Sequence, residues 1–207
     1  MKKLLQKLPS AGAGPLRIRK ILEWSCACGL LLTIVLTAAA VRYQTVCARV
    51  CGDTLRLHIL ANSDTVEDQL LKLQVRDAVL AALPPAVTQA QSPQQAVRAL
   101  QTALPALQAA ADSVLHRAHS PQTAALRLER HNFSARDYGS FSLPGGEYTA
   151  LRIELGTAQG RNWFCVLYPS LCISGSTAAY PSADENALVF GRFEVRLAVA
   201  DFIRNRK

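Results

Sequence analysis

Charge is scarce in this chain: 18% of its 207 residues are charged, and acids number 15 against 23 Lys and Arg. Half the residues are apolar, so the sequence is not that of a disordered, self-repelling chain. Several motifs are also missing. No Gly-x-Ser-x-Gly, His-Glu-x-x-His, Walker loop or dinucleotide fingerprint occurs, which removes the usual sequence grounds for a hydrolase, a metalloprotease or a nucleotide-binding enzyme. The four His residues are scattered, and the cysteines outside the N-terminal region are spaced C-x3-C and C-x6-C. That spacing fits zinc poorly, so neither a metal nor a cofactor is expected.

The net charge of +8 suggests a nucleic-acid binder until the chain is divided. Residues 1–23 carry Lys2, Lys3, Lys7, Arg17, Arg19 and Lys20 against Glu23, a balance of +5, which leaves +3 for residues 42–207. The basic excess belongs to a tail, and nucleic acid is not the expected partner. The tail precedes Trp24–Val41, 18 residues without a charge, the lower end of what crosses a bilayer as a helix. Positive charge before this span places residues 1–23 in the cytoplasm and exports the rest of the chain. Ala38, Ala39 and Ala40 also suit a signal-peptidase site, but the long basic tail favours an anchor. The expected organisation is a basic cytoplasmic tail over 1–23, a transmembrane or signal helix over 24–41, a linker over 42–53 and an exported domain over 54–204.

Export makes disulfides plausible: Cys47 with Cys51, and Cys165 with Cys172 around Tyr168-Pro169. Cys26 and Cys28 lie in the span and read as small apolar packers. Tyr43-Gln-Thr-Val46 before Cys47 is not a lipobox.

Thr54–Ala61 alternates as a strand, and a helix is predicted from about Thr65 to Leu83, ending at Pro84-Pro85. Asp64 with Glu67 resembles a capping box, and Asp68 adds to the acids that suit a helix start. Ser92-Pro93 opens further helices over about 93–103 and 105–118, interrupted at Pro105. Strands follow at 124–130, 147–155 and 162–168. Gly156–Gly160 suggests a hairpin between the last two, and 174–186 reads as a loop. Residues 188–204 read as a strand or a terminal helix. The fold class is α/β (α+β): one domain with a strand and helices, then a mostly antiparallel sheet.

The corner His58-Ile-Leu-Ala-Asn-Ser-Asp64 and the helix after it concentrate the polar chemistry: His58, Asn62, Ser63, Asp64, Asp68, Lys72, Arg76 and Asp77. At 100° per residue, Leu71, Val75, Ala78 and Ala82 share one face of this helix. Val66, Leu70, Leu73 and Leu80 form a nearly opposite stripe that includes Asp77. The preferred reading sandwiches the helix between the sheet and the 93–118 helices; the alternative leaves one face for a partner. Asp77 among leucines calls for a cation such as Arg56 or Arg152. A hydrolase would pair Cys165 as nucleophile with His58 as base and Asp64 or Asn62 as orienter, an alternative to a non-enzymatic role.

Two blocks resemble the stage II sporulation protein R family of endospore-forming bacteria: Leu57–Leu80, and Leu143–Gly156 continuing through Asn162-Trp163-Phe-Cys-Val-Leu-Tyr-Pro-Ser-Leu-Cys172. Phe164, Tyr168 and Ser170 depart from the family's usual residues, and the Ala/Gln-rich middle is less acidic than expected. The resemblance implies a signal rather than an enzyme, exported from the forespore toward the space between its membrane and the mother cell's. The resemblance further implies that such a signal activates a membrane-bound aspartic protease that processes the sigma-E precursor, with no small-molecule substrate expected. Asn162, Trp163 and the polar residues of the corner are then expected to lock the fold or contact the partner.

Overall fold

The computed structural model describes residues 15–171 and 179–191. The chain divides into two compact units, Met1–Gln44 and Thr45–Lys207, and helix α1 (Pro15–Gly52) begins in the first. Among the described residues α1 is the one helix long and apolar enough to cross a membrane, with a mean hydropathy of 2.0 over its apolar window and none of that window buried. Its length and composition suit a membrane anchor or a signal segment.

Residues 42–53 are not an irregular linker: α1 continues to Gly52. No Gly or Pro falls between Arg42 and Cys51, and Val46 and Val50, one turn apart, share an apolar cluster with Phe141, Leu143, Val166, Tyr180, Leu188 and Val189. Tertiary packing makes this stretch helical.

The second unit is built on a four-stranded sheet of β1 (Leu55–Leu60), β2 (Ala124–Phe133), β5 (Gly146–Leu155) and β6 (Asn162–Tyr168), in the order β2-β5-β1-β6. Two-residue strands β3 (Arg136–Asp137) and β4 (Ser142–Leu143) form a small separate ribbon. The main sheet is mixed: β1 pairs in parallel with β5, while β1–β6 and β2–β5 are antiparallel. The expected hairpin between β5 and β6 is absent, because β1 lies between them. The 156–161 connection must therefore cross the C-terminal end of β1.

Alternation divides the sheet into two faces. Leu55, Leu57 and Ile59 of β1, Leu151, Ile153 and Leu155 of β5, and Cys165 and Leu167 of β6 face the main core. Helices α2 (Val66–Ala81), α3 (Pro85–Thr88) and α4 (Pro93–Arg117) supply the other side of that core, with Leu71, Val75, Val79, Val87, Leu100, Leu107 and Ala111. Two helices were expected where α4 runs unbroken through Pro105. Proline removes the bond to the carbonyl of Gln101, but the side chain of Gln101 and that of Pro105 are both exposed, so water can satisfy that group. Leu100, Leu107 and Ala111 meanwhile hold the buried stripe across the break.

Helix α5 (Ala183–Phe190) starts inside the expected loop, capped by a reciprocal Ser182–Glu185 box. The remaining candidate strand or helix over 192–204 lies outside the described residues.

Helix α2 is not sandwiched. Leu71, Val75 and Val79 are buried, while Val66 and Leu70 are 69% and 55% exposed. Of the opposite stripe Val66, Leu70 and Asp77 face solvent, Leu73 is half-buried, and Leu80 packs against the core.

Candidate functional site

The 156–161 connection closes over the end of β1 and meets the corner there. Gly160 N–H donates to Ala61 O at 2.8 Å and Gln159 N–H to Asn62 O at 3.2 Å. Thr157 N–H donates to Asn62 Oδ1 at 2.9 Å, and its hydroxyl to Asn62 O at 3.0 Å. Arg161 N–H donates to Asp64 Oδ1 at 2.8 Å. The approach is close: a Cβ on Gly160 would stand 2.2 Å from Ser63 O, and one on Gly156 2.4 Å from Asn62 Oδ1. In sequence, Thr157, Gly156 and Gly160 read only as parts of a turn.

The helix start differs from the expected capping box. Thr65 is the N-cap, its hydroxyl accepting from Asp68 N–H at 3.3 Å, whereas Asp64 serves the facing loop. Asp68 is not a solvent-facing dipole acid but a buried hub. Its carboxylate accepts from Ser63 Oγ at 2.5 Å, Asn62 Nδ2 at 2.8 Å and Gln122 Nε2 at 2.5 Å. The Ser63 bond, then the Asn62 bond, hold the carboxyl below its usual range against the opposing effect of burial. Lys72 is also buried; its Nζ donates to Gln69 Oε1 at 2.7 Å and Arg161 O at 2.9 Å. Burial lowers the pKa of this amine, while the charge of Asp64 acts the other way. Asn62, Ser63, Asp64, Asp68 and Lys72 thus form one clasp, with Gln122 the member that sequence reasoning missed.

Arg76, Asp77 and Trp163 lie apart from the clasp. The Asp77 side chain is 65% exposed and pairs with its neighbour Arg76 at 2.7 Å, not with Arg56 or Arg152. The expectation of a buried acid assumed that the stripe around Asp77 was packed, and it is solvated. Arg76 also lies over the Trp163 ring, 5.0 Å from its centre.

His58 and Asn162 belong to the sheet face opposite the main core. His58 stacks on Phe164 at 4.6 Å between ring centres, with Phe133 and His131 at 5.6 and 5.7 Å. Its Nε2 is 3.0 Å from Asn162 Oδ1, the geometry of a donated N–H. Burial lowers the imidazole pKa, with the Asn162 bond opposing, so the ring is neutral near pH 7. Beside it Arg56 is fully buried, its guanidinium 4.1 Å from the Phe133 ring centre and 4.7 Å from that of Tyr148. Arg56 Nη2 donates to Tyr138 Oη at 2.9 Å; Nε and Nη1 have no hydrogen-bond partner. Arg56 reads in sequence as an ordinary polar position of an alternating strand.

The hydrolase pairing is not assembled. Cys165 pairs across the sheet with Leu57, and His58 with Phe164. Successive residues point to opposite faces, so the sulfur lies in the main core and the imidazole on the other side. Cys165 is also not a free thiol; its candidate partner Cys172 lies outside the described residues. Cys47 and Cys51 are free, which overturns that expected disulfide. One helical turn separates their Cβ atoms by about 5–6 Å, too far for a bridge needing about 3.5–4.5 Å.

The clasp, α2–α4 and the sheet all fall within residues 52–178, which match the family model for stage II sporulation protein R. The chain belongs to that family. It is 38% identical over 118 residues to the stage II sporulation protein R of Bacillus subtilis (strain 168), covering 57% of this chain and 53% of the relative. It therefore spans about half the length of that curated relative. No solved structure matches the chain. Both blocks that carried the resemblance lie in the family region: the first supplies β1, the corner and α2, and the second supplies β5, β6 and the connection that closes on the corner. The clasp thus joins the first block to the 156–161 connection between the two halves of the second, and to Gln122, which lies in neither block.

Proposed function

We propose that this sporulation protein is an exported signal that activates a membrane-bound aspartic protease processing the sigma-E precursor, and that it acts by binding rather than by catalysis. The partner surface is the outward stripe of α2, Val66, Leu70 and Leu73, flanked by Arg76. One observation carries this reading. Val66 and Leu70 are 69% and 55% exposed on a helix whose base is fixed by the clasp, and aliphatic side chains held rigidly in solvent suit a protein interface. On this reading α1, as anchor or signal segment, exports the domain into the forespore intermembrane space, where the stripe meets its membrane-bound partner.

The test is co-expression with the protease and the sigma precursor in a non-sporulating host. The native chain should trigger processing, and Val66→Ser with Leu70→Ser should reduce it at least tenfold without loss of folded protein. Processing independent of this chain, or unaffected by the double change, would overturn the reading. Cys165→Ser should retain triggering wherever the variant folds; strict dependence on the sulfur in a folded variant would favour a cysteine hydrolase.

A further inference from the structure

The start of α1 carries a feature that partner binding does not use. Arg17, Lys20, Ile21, Trp24, Ser25 and Cys28 line a shallow groove. Their spacing places them on a single helical face, with the cations at the N-terminal end and Trp24 opening the uncharged span. Charge on this segment is divided unevenly around the helix. Its one acid, Glu23, pairs with Arg19 at 2.9 Å, and both lie on the side away from the groove. Arg17 and Lys20 have no acidic partner among the described residues, so the groove holds two uncompensated cations. Trp24 is 73% exposed, and Ile18, Ile21 and Leu22 are also mostly solvent-facing.

We propose that this face binds the headgroup of an anionic phospholipid, with Lys20 and Arg17 on the phosphate and Trp24 at the boundary between headgroup and acyl chain. The inference rests on α1 crossing a bilayer. At 1.5 Å per residue, Lys20 stands about 6 Å and Arg17 about 10 Å beyond Trp24 along the axis, which puts Lys20 within a headgroup layer about 5–8 Å deep and Arg17 at its outer edge, in reach of phosphate through its long side chain. Tryptophan favours that boundary, and long cationic side chains extend from it toward phosphate. The uncharged groove beyond Trp24, lined by Ser25 and Cys28, leaves room for the start of an acyl chain. A free anion has no use for that apolar half, so the occupant is a lipid.

Full-length protein in neutral detergent is titrated with phosphatidylglycerol, phosphatidylcholine or inorganic phosphate. Native mass spectrometry counts the retained lipid, and Trp24 fluorescence is followed in a Trp163→Phe background. Phosphatidylglycerol should bind saturably and phosphatidylcholine weakly. Phosphate should compete poorly. Arg17→Gln with Lys20→Gln should weaken the phosphatidylglycerol site about 25-fold, taking about fivefold for each cation near a membrane surface, while Arg19→Gln leaves it within about twofold. Equal binding of the two lipids, competition by phosphate at similar concentration, or an equal loss from Arg19→Gln would overturn the site. Carbonate extraction from liposomes separates the two readings. A chain that stays inserted without lipid selectivity removes the headgroup site alone; a chain that is extracted removes the spanning helix and the site with it.

Discussion

Replacing Asp68 with asparagine tests the clasp most directly. The Asp68 carboxylate accepts three side-chain hydrogen bonds, from Ser63, Asn62 and Gln122, at 2.5–2.8 Å. Hydrogen bonds to a charged acceptor contribute about 1.5–3 kcal/mol each. Asparagine keeps the shape and one acceptor oxygen but turns an amide toward at least one existing donor. One to two charged bonds are lost, so Asp68→Asn should destabilise the fold by about 2–4 kcal/mol. Urea unfolding of residues 45–207, the compact second unit, can be followed by Trp163, its single tryptophan. With a slope of about 2 kcal/mol per M, the midpoint should fall by about 1–2 M. The difference must also depend on pH. The carboxyl pKa is lower in the folded state, the Ser63 bond being the largest cause. Its stabilising contribution is complete above the unfolded value, about 3.9 for aspartate, and is lost as pH falls through the folded value. The gap between native and variant protein should thus be widest near neutrality and narrow below about pH 4. A gap under about 1 kcal/mol at pH 7, or one that is unchanged on acidification, would refute the clasp as a charged hub.

Gly156→Ala should cost about 2 kcal/mol in the same assay, because its φ of +55° disfavours a side chain and the new Cβ would meet Asn62 Oδ1. Gly139→Ala, at φ +85° with open space around it, should cost only about 1 kcal/mol; equal costs would count against crowding at the corner. Native stability should fall as pH drops below about 6.5, because burial lowers the folded pKa of His58 and the unfolded chain then binds the extra proton. His58→Gln should flatten that fall, and an unaltered profile would assign it to other groups. Arg56→Met should change stability by less than about 1.5 kcal/mol, since a well-packed apolar replacement of a buried charge is often neutral. Arg56→Ala should cost about 2–4 kcal/mol through lost packing against Phe133 and Tyr148.

Much of the sheet was legible in the sequence. Strand β6 occupies the predicted 162–168, and β1 and β5 lie within a residue of their predicted ends, because alternation is a local signal. Pairing is not local. The glycine-rich 156–160 stretch suits a tight turn, and nothing near it in sequence shows that β1 inserts between the strands it joins. Asp68 was misplaced for a related reason. Seen alone, an acid in the first turn of a helix matches the dipole; its donors Asn62 and Ser63 are close in sequence, but Gln122 is 54 residues away. Asp77 shows the opposite error, where leucines at helical spacing imply burial only if something covers them. Val66 and Leu70 are uncovered, and the acid beside them needs no buried cation.

The clasp and the stripe explain each other on the proposed reading. The clasp commits a buried carboxylate, a buried ammonium and two close glycine contacts to one corner, and Asn62, Ser63 and Gln122 all donate to that carboxylate. Its mechanical effect is to fix the angle at which α2 leaves β1, and so the direction in which Val66 and Leu70 point. Holding a binding surface in place beforehand lowers the ordering cost of association, which gives the corner a role in recognition without contact with the partner. The two elements then differ in how they fail. Changes in the clasp should lower stability and signalling together, whereas changes at Val66 and Leu70 should remove signalling while unfolding stays within about 1 kcal/mol of native. If Asp68→Asn abolished signalling at a temperature where the variant remained fully folded and α2 kept its native hydrogen-exchange protection, orientation would not be the link, and Asp68 itself would have to touch the partner.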